Sequence, residues 1–285
     1  MKYDIYSTID SDYTNQSLVF FKSFTNFNPN LKLKVCCINF TDDEYRRYAE
    51  QLNSFKNIEP IRVEFKDSLS HIDLRAESHL YDHSYVNHLA ATMYKLKLFS
   101  EMTADYILYL DVDMLIRSDI SKLLKKYNTD FASKVYYTTR GRIINAGVLI
   151  ARKGLTDLYE QSYSFFVSHK NAYTPEEYYI GSRSYSITNL PTEYNWINDG
   201  SLYAYTNDPY IVHFRGSVKP FIKSTLDDNF SLTNKTLQGY FKYFNEWYTV
   251  CDSVQEVLDP EFIIEINSIK QFYNQYINLS NKIYH

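Results

Sequence analysis

The stretch YILYLDVDMLI, residues 106–116, decides the predicted fold. Five apolar or aromatic residues lead into Asp111 and Asp113, which are separated by Val112, and the sequence then becomes apolar again. A run this short and this apolar is typical of a strand buried on both faces of a parallel sheet. Because side chains alternate along a strand, Asp111 and Asp113 are expected to point the same way and Val112 the opposite way.

Two neighbouring carboxylates at the end of a buried strand need a physical explanation. At a separation of about 4 Å they would repel each other by about 4 kcal/mol at an effective dielectric constant near 20. In one interpretation, one aspartate caps the following helix and the other is solvated. In the other, both bind a divalent cation, which prefers oxygen ligands. This stretch alone leaves both interpretations open.

On the N-terminal side of this stretch, predicted strands and helices alternate. Strands are expected at residues 2–9, 31–40, 57–65 and 106–110, and helices at 17–24, 41–52 and 89–102. The helix over 41–52 begins with a threonine cap and an acidic first turn. This alternation predicts a doubly wound α/β sheet whose ligands bind at the carboxyl ends of the strands.

On the C-terminal side, DISKLLKKY (119–127) predicts a helix, and DFASKVYY (130–137) and RIINAGVLIAR (142–152) predict strands. The second of these strands contains Asn145, Ala146 and Gly147. Small residues in a strand indicate a bulge or a close approach of backbone, so either a nearby ligand or tight packing would explain them. Beyond residue 225, two or three amphipathic helices are expected.

Composition excludes several classes of protein. The chain has 285 residues, is 45% hydrophobic and carries a formal net charge of -4, so it lacks the basic footprint of nucleic-acid binding. No glycine-rich phosphate loop appears, which argues against dinucleotide-dependent dehydrogenases and P-loop enzymes. Cys36, Cys37 and Cys251 form no metal motif and predict buried thiols of a reducing compartment.

The two ends of the chain bear on its location and assembly. The N-terminus has no apolar signal core and no segment is long enough to span a bilayer, so a cytoplasmic protein is expected. From residue 231 onward acidic residues outnumber basic ones, which argues against an electrostatic membrane anchor. The C-terminal helices are therefore expected to pack onto the core or onto a second subunit in a homo-oligomer.

Three motifs in order along the chain, YLDVDMLI, INAGVLIAR and HFRGSVKPF, resemble those of the family-8 glycosyltransferases. The resemblance covers roughly residues 1–223. It implies a GT-A nucleotide-sugar-binding fold, a mostly parallel central sheet flanked by helices, over 1–223, with a helical C-terminal extension over 224–285. It also implies a retaining enzyme that transfers a hexose, glucose or galactose, from a UDP-sugar to a glycan, lipid-linked sugar or protein acceptor.

By motif position, the resemblance implies a metal site at the diphosphate of the donor. Asp111, Asp113 and His213 would hold manganese, with magnesium as the alternative ion. Mixed carboxylate and imidazole ligands also suit manganese better than calcium. Lys219 would contact the diphosphate as a point charge. Gly216 would let the backbone approach it closely.

The segment IYSTIDSDY, residues 5–13, resembles the part of the family that binds the nucleotide base. The residues of this segment implied to bind the nucleotide are Ser7, Thr8, Asp10 and Tyr13. Val112, which lies between the two aspartates, is implied to contact the nucleotide as well. The alternative for the first four is ordinary turn chemistry.

Around the donor sugar, the chain departs from the family pattern at two places. Lys95 stands where the family often has an arginine, which keeps the charge but loses the bidentate fork. Asn145 matches the position that bonds the donor sugar. Glu176 and Glu177 replace an Asp-Gln-Asp-like element and are the candidates for catalysis, the alternative being two acidic residues at a helix start. Retention could then proceed through a glutamate nucleophile or by attack on the face that the leaving group departs from.

Other functions compete with this one. A sugar nucleotidyltransferase would need a glycine-rich basic loop after the first strand, which is absent. A catalytically silent GT-A protein that binds glycans or partners would be expected to have lost the aspartates or the histidine, and both are intact. A zinc site remains a weaker alternative, since no cysteine or carboxylate pattern accompanies the histidines. Those histidines are His71, His79, His83 and His88.

Overall fold

The structure, a computed structural model, describes residues 2–65, 83–125, 127–138, 141–168, 175–197, 208–214, 219–222 and 235–283. Nine strands and seven α-helices lie in these ranges. The strands are β1 (Tyr3–Ile9), β2 (Leu33–Ile38), β3 (Ile58–Val63), β4 (Tyr106–Leu110), β5 (Met114–Ile116), β6 (Phe131–Thr138), β7 (Gly141–Arg152), β8 (Ile187–Asn189) and β9 (Ile211–His213). The helices are α1 (Thr14–Phe27), α2 (Asp42–Leu52), α3 (His83–Glu101), α4 (Leu158–Ser168), α5 (Pro175–Ser182), α6 (Lys235–Asp252) and α7 (Pro260–Ile283).

Seven strands form one central sheet in the order β3-β2-β1-β4-β7-β6-β8. The strands from β3 to β4 run parallel, β7 is antiparallel to both β4 and β6, and β8 is parallel to β6. The predicted mixed α/β fold with a mostly parallel sheet is therefore confirmed. Among these seven strands β7 alone runs against the others, and it lies beyond β4 on the side opposite to β1.

The sheet is covered by helices on both faces because its central strands are apolar on both sides. All five residues of β4 are buried. Its alternate residues belong to two separate hydrophobic clusters, with Leu108 in one and Tyr109 in the other. The first cluster also includes side chains of α1, α2, α6 and α7, and the second includes side chains of α3, α4 and α5. The interpretation of residues 106–110 as a doubly buried strand is confirmed.

The prediction of a helix over residues 119–127 was wrong. Within the described part of that stretch the only helical turn is a 3-10 turn, Ser121–Leu123. Ile120 and Leu123 are buried in the core, and the Ile120 N–H donates to Asn28 Oδ1 at 2.9 Å. Asp119 Oδ1 accepts from the Ser121 N–H at 2.8 Å. A tertiary contact to Asn28, the residue that follows α1, thus fixes a short turn where the local sequence favoured a longer helix.

The C-terminal region contains α6 and α7, joined by a 3-10 turn at Gln255–Val257. This agrees with the two or three helices expected from the sequence. These helices pack on the same core as the sheet, where Phe244 of α6 lies against Tyr273 of α7 with ring centroids 5.0 Å apart. No helix in the described ranges is both long and apolar enough to cross a membrane.

A small second sheet brings two of the sequence motifs together. It pairs β5 with β9 antiparallel, and Met114 lies opposite His213. Because β5 directly follows the two aspartates, this pairing places His213 next to the end of β4, although the two are far apart in the sequence. The pairing is the structural basis of the candidate site.

Candidate active site

A cavity of about 680 Å³ opens at the carboxyl ends of β1 and β4. This is the place where parallel α/β sheets bind ligands. The residues singled out from the sequence that line it are Thr8, Asp10, Tyr13, Lys95, Asp111, Val112, Asp113, Asn145, Glu176, Glu177, His213 and Lys219. Elements from both halves of the chain therefore contribute to one cavity.

A few of the predicted residues are placed differently. Ser7 is not among the residues that line the cavity, because its hydroxyl is buried and donates to the Leu110 carbonyl oxygen at 2.6 Å. This contact ties β1 to the end of β4. Gly216, His71 and His79 lie outside the described residues, and so do the side chains of His83 and His88.

Asp111, Asp113 and His213 come together at one point of the cavity. Each offers a ligand atom, and these atoms all lie within 4.8 Å of one another. His213 Nε2 is 3.2 Å from Asp113 Oδ1 and 3.9 Å from Asp111 Oδ2. The described residues thus bring together three side chains of the types that bind divalent transition metals.

Two lysines take the remaining oxygens of the aspartates. Lys219 Nζ is 2.7 Å from Asp113 Oδ2, and Lys95 Nζ is 3.3 Å from Asp111 Oδ1. Burial acts to raise the pKa of Asp113, but the positive charge of Lys219 opposes it and this pKa lies well below its usual range. Asp113 therefore stays ionised.

The oxygen of Asp113 that faces His213 is the one best suited to a cation. Asp113 Oδ1 is buried and has no hydrogen-bond partner among the described residues. A buried carboxylate oxygen without a partner is costly, and a metal ion would compensate it. The residues therefore fit a divalent cation held by Asp113 Oδ1, Asp111 Oδ2 and His213 Nε2.

The other nitrogen of His213 faces two amide side chains. Nδ1 lies 3.1 Å from Asn145 Oδ1 and 3.2 Å from Asn195 Oδ1. Asn195 was missed by the sequence interpretation, since the segment NLPTEYNW matches no motif. Gly147 leaves room for the imidazole, because a Cβ there would lie 2.3 Å from His213 Cε1. Gly147, one of the small residues singled out in β7, is thus explained by the close approach of a side chain.

The two glutamates at the start of α5 have different surroundings. Glu177 Oε1 accepts from Asn145 Nδ2 at 3.0 Å and from the Ala146 N–H at 3.1 Å. Glu176 Oε1 lies 3.6 Å from Lys95 Nζ, and its Oε2 is buried without a hydrogen-bond partner in the described structure. Burial raises the pKa of Glu176 to about 7, with Lys95 opposing and Glu177 reinforcing the shift.

Lys95 links the aspartate and glutamate sides of the cavity. It is buried, lies 4.3 Å above the ring centroid of Tyr109, and its Nζ approaches the Ala146 carbonyl oxygen at 3.4 Å. Burial alone would lower the pKa of Lys95, but Asp111, Tyr109 and Glu176 raise it above its usual value. The lysine is therefore a fixed positive charge between the two groups of carboxylates.

Asp10 and Tyr13 form the opposite wall, after β1. Asp10 Oδ1 accepts from the Asp12 N–H at 3.0 Å, and burial, reinforced by Asp12, raises the pKa of Asp10 to about 6. The Tyr13 hydroxyl lies 3.3 Å from Lys219 Nζ. This wall therefore combines an aromatic ring, a carboxylate and an ammonium group.

The N-terminal part of the sequence matches a known family. The family described as "Glycosyl transferase family 8" matches residues 4–176, which is more than half of the chain. No curated protein matches the chain by sequence.

Several solved structures share the fold. The galactosyltransferase LgtC in complex with donor and acceptor sugar analogs has a TM-score of 0.66 at 16% identity, covering 92% of this chain and 99% of that one. The glycosyltransferase GlyE of Streptococcus pneumoniae TIGR4 has a TM-score of 0.58 at 17% identity, covering 91% and 66%. Mouse xyloside xylosyltransferase 1 has a TM-score of 0.53 at 11% identity, covering 76% and 99%. Identities this low establish a shared fold and not a shared substrate.

Proposed function

The chain belongs to glycosyl transferase family 8 and is a glycosyltransferase, and from this premise we propose that it uses a divalent metal ion and a UDP-sugar donor. We propose manganese, or magnesium, as the ion and glucose or galactose as the transferred hexose. The reaction retains the anomeric configuration, and the acceptor is a glycan, a lipid-linked sugar or a protein.

One observation carries the metal-dependent part of this proposal. Asp113 Oδ1 is a buried, ionised oxygen without a hydrogen-bond partner in the described structure, and it lies 3.2 Å from His213 Nε2. If Nε2 carries a lone pair, two electron-rich atoms face each other there, and a cation between them would turn repulsion into binding. A cation bound at this place would act as a Lewis acid on the leaving diphosphate.

The residues around this point have complementary tasks in the proposed reaction. Lys219, already bonded to Asp113 and close to Tyr13, supplies a fixed positive charge for the negative charge that develops on the leaving nucleotide. Thr8, Asp10 and Tyr13 receive the uridine. The division of the chain into a GT-A domain over 1–223 and a C-terminal extension over 224–285 is part of the proposal.

Glu176 is the better candidate of the two glutamates for contact with the donor sugar. Its Oε2 is buried in the cavity wall without a hydrogen-bond partner in the described part of the chain, whereas Glu177 Oε1 already accepts two hydrogen bonds. Lys95, 3.6 Å from Glu176, favours its ionised form against the effect of burial. Both routes to retention, a Glu176 nucleophile and same-face attack, are compatible with this arrangement.

Calorimetry of UDP binding tests the proposal directly. Wild-type protein is expected to bind UDP tightly with Mn²⁺ and weakly with a chelator present. Asp113→Asn keeps the shape of the side chain and removes its charge, so it should abolish the Mn²⁺-dependent gain and the turnover. Asp252→Asn is the matched control, since Asp252 pairs with Lys270 at 2.8 Å far from the cavity.

The donor is identified by hydrolysis of UDP-glucose and UDP-galactose with Mn²⁺ in the absence of an acceptor. Equal UDP affinity with and without Mn²⁺, or full turnover by Asp113→Asn, would contradict the metal-dependent mechanism. Melting curves of both variants establish that the comparison is made between folded proteins.

A further inference from the structure

Asn195 is a buried polar residue that the proposed reaction does not yet use. It follows the 3-10 turn Thr192–Tyr194 and is fully buried. The next residue, Trp196, pairs with β9 through its backbone. Its N–H donates to the Ile211 carbonyl oxygen at 3.0 Å, and its carbonyl oxygen accepts from the His213 N–H at 2.9 Å. This backbone pairing places Asn195 beside the imidazole of His213.

Two backbone N–H groups near that imidazole set the direction of the hydrogen bonds made by Asn145. The Gly147 N–H can only donate, and it points to Asn145 Oδ1 at 3.2 Å. The Ala146 N–H likewise fixes Glu177 Oε1 as an acceptor, which then receives Asn145 Nδ2 at 3.0 Å. Both contacts agree on which end of the Asn145 amide is oxygen.

Asn195 completes the same network. Its Nδ2 donates to Asn145 Oδ1 at 2.7 Å, so its own Oδ1 faces His213 Nδ1 at 3.2 Å. His213 Nδ1 therefore meets two amide oxygens, at 3.1 and 3.2 Å, and both can only accept. A ring proton is therefore held on Nδ1, and in the neutral imidazole the lone pair of Nε2 points toward Asp111 and Asp113.

We propose that Asn195 and Glu177 are positioning residues that hold His213 in the tautomer and ring orientation needed to bind the metal ion. Glu177 orients Asn145, and Asn145 and Asn195 together hold the imidazole. This inference rests on the proposed function, since it gives these residues a task toward the ion. The hydrogen bonds of Glu177 favour this role over the catalytic one that its sequence position suggested.

Mn²⁺ affinity, measured by electron paramagnetic resonance in the presence of UDP, tests the inference without an activity assay. Asn195→Ala removes one acceptor and should weaken Mn²⁺ binding by about 10- to 100-fold, the usual effect of losing an outer partner of a metal-binding histidine. UDP affinity in a chelator should not change, because Asn195 does not line the nucleotide wall.

Glu177 offers a test by conservative replacement. Glu177→Gln keeps an oxygen that accepts from Asn145 and Ala146, so it should bind Mn²⁺ far more tightly than Glu177→Ala does. If Asn195 and Glu177 only support the fold, the Mn²⁺ affinity per folded molecule should be the same in the variants and in the wild type. Asn57→Ala is the control, because Asn57 is also a buried amide with hydrogen bonds to Asn28 and Leu31 but lies away from the cavity.

The outcomes separate this inference from the proposed function. Wild-type protein that binds Mn²⁺, with Asn195→Ala binding it equally well, would overturn the positioning role alone. Equal losses in Glu177→Gln and Glu177→Ala would show that the charge of Glu177 matters and not its orientation of Asn145. Wild-type protein that does not bind Mn²⁺ at all would overturn both the metal-dependent function and this inference.

Discussion

Lys219 provides the positive charge that balances a buried aspartate. Its Nζ is 2.7 Å from Asp113 Oδ2, and their side chains are 9% and 13% exposed. A carboxylate this buried is stable only with a partner, because desolvation of an unpaired charge is costly. The same lysine would stabilise the charge on a departing diphosphate, so its two tasks can be separated by measuring stability and turnover independently.

Lys219→Ala is expected to lower the free energy of unfolding by about 3–5 kcal/mol, since it leaves Asp113 unpaired. It should also lower kcat more than it raises the KM for the donor, because the charge acts mainly in the transition state. Lys219→Arg should recover only part of kcat, since a guanidinium is broader than an ammonium. Denaturant titrations and steady-state kinetics, normalised to the folded fraction, measure both effects.

Lys270→Ala serves as the control for Lys219→Ala. Lys270 pairs with Asp252 at a similar distance, 2.8 Å, but their side chains are 33% and 45% exposed. Removing this surface pair should cost about 1 kcal/mol or less and leave kcat unchanged. A normal kcat in Lys219→Ala would remove the lysine from the active site.

Asp10 makes stability depend on pH in a direction that can be checked. Burial, reinforced by Asp12, raises the pKa of Asp10 from 3.8 to about 6. Between these two values the unfolded chain has already lost the proton that the folded protein keeps. The free energy of unfolding should therefore fall as pH rises from about 4 to 6, because the unfolded state binds fewer protons.

Asp10→Asn should reduce this fall. Asparagine keeps a side-chain oxygen that can accept from the Asp12 N–H, so the turn is preserved while the titrating group is lost. Urea unfolding of both proteins at several pH values gives the two slopes. Parallel curves for the variant and the wild type would show that Asp10 does not titrate in this range.

At the scale of elements, α2 begins where its local sequence specifies. Glu44 Oε2 accepts from the Thr41 N–H at 2.7 Å, and Thr41 Oγ1 accepts from the Glu44 N–H at 3.3 Å, forming a capping box. The signal is local, because all its partners lie within one turn. The turn at Ser121–Leu123 is the opposite case, since Asn28 of a distant segment fixes it.

Thr41→Ala should lower the free energy of unfolding by about 1 kcal/mol through loss of the helix cap. Thr41→Ser keeps the hydroxyl and should cost much less. Turnover per folded molecule should not change in either variant, because α2 contributes no residue to the cavity lining. Urea titrations measure the stability, and a loss of turnover with normal stability would connect α2 to the site.

At the scale of the whole molecule, α6 supports the segment that carries Lys219. The Tyr248 hydroxyl donates to the Pro220 carbonyl oxygen at 2.8 Å, and the ring of Trp247 lies 5.7 Å from that of Phe221. Tyr273 of α7 packs in turn on α6. The two C-terminal helices therefore share the core of the sheet and buttress one wall of the cavity.

Tyr248→Phe is expected to lower stability by about 1 kcal/mol, the typical contribution of one hydrogen bond. It should also lower kcat, because the Pro220 carbonyl next to Lys219 loses its anchor. Tyr45→Phe is the matched control, since the Tyr45 hydroxyl donates to the Pro60 carbonyl oxygen at 3.3 Å away from the site. Equal kcat values for the two variants would argue that α6 does not hold Lys219 in place.

Local pattern is enough to predict several features of this protein. Residues 106–110 must be buried because they are apolar on both sides, and the aspartates that follow must be compensated because like charges repel. The three ordered motifs indicated the family, and the spacing of apolar residues indicated most strands and helices. These signals need only neighbouring residues or a matching motif, so one sequence is sufficient for them.

The choice of partners among the polar groups of the site depends on how distant segments pack. Asn195 and Asn145 are 50 residues apart, and Glu177 and Asn145 are 32 apart, yet their amide and carboxylate groups form one network around His213. The pairing of β5 with β9 and the different surroundings of Glu176 and Glu177 arise in the same way. A buried donor or acceptor must find a partner, but packing of distant segments determines which one, and no local periodicity encodes that choice.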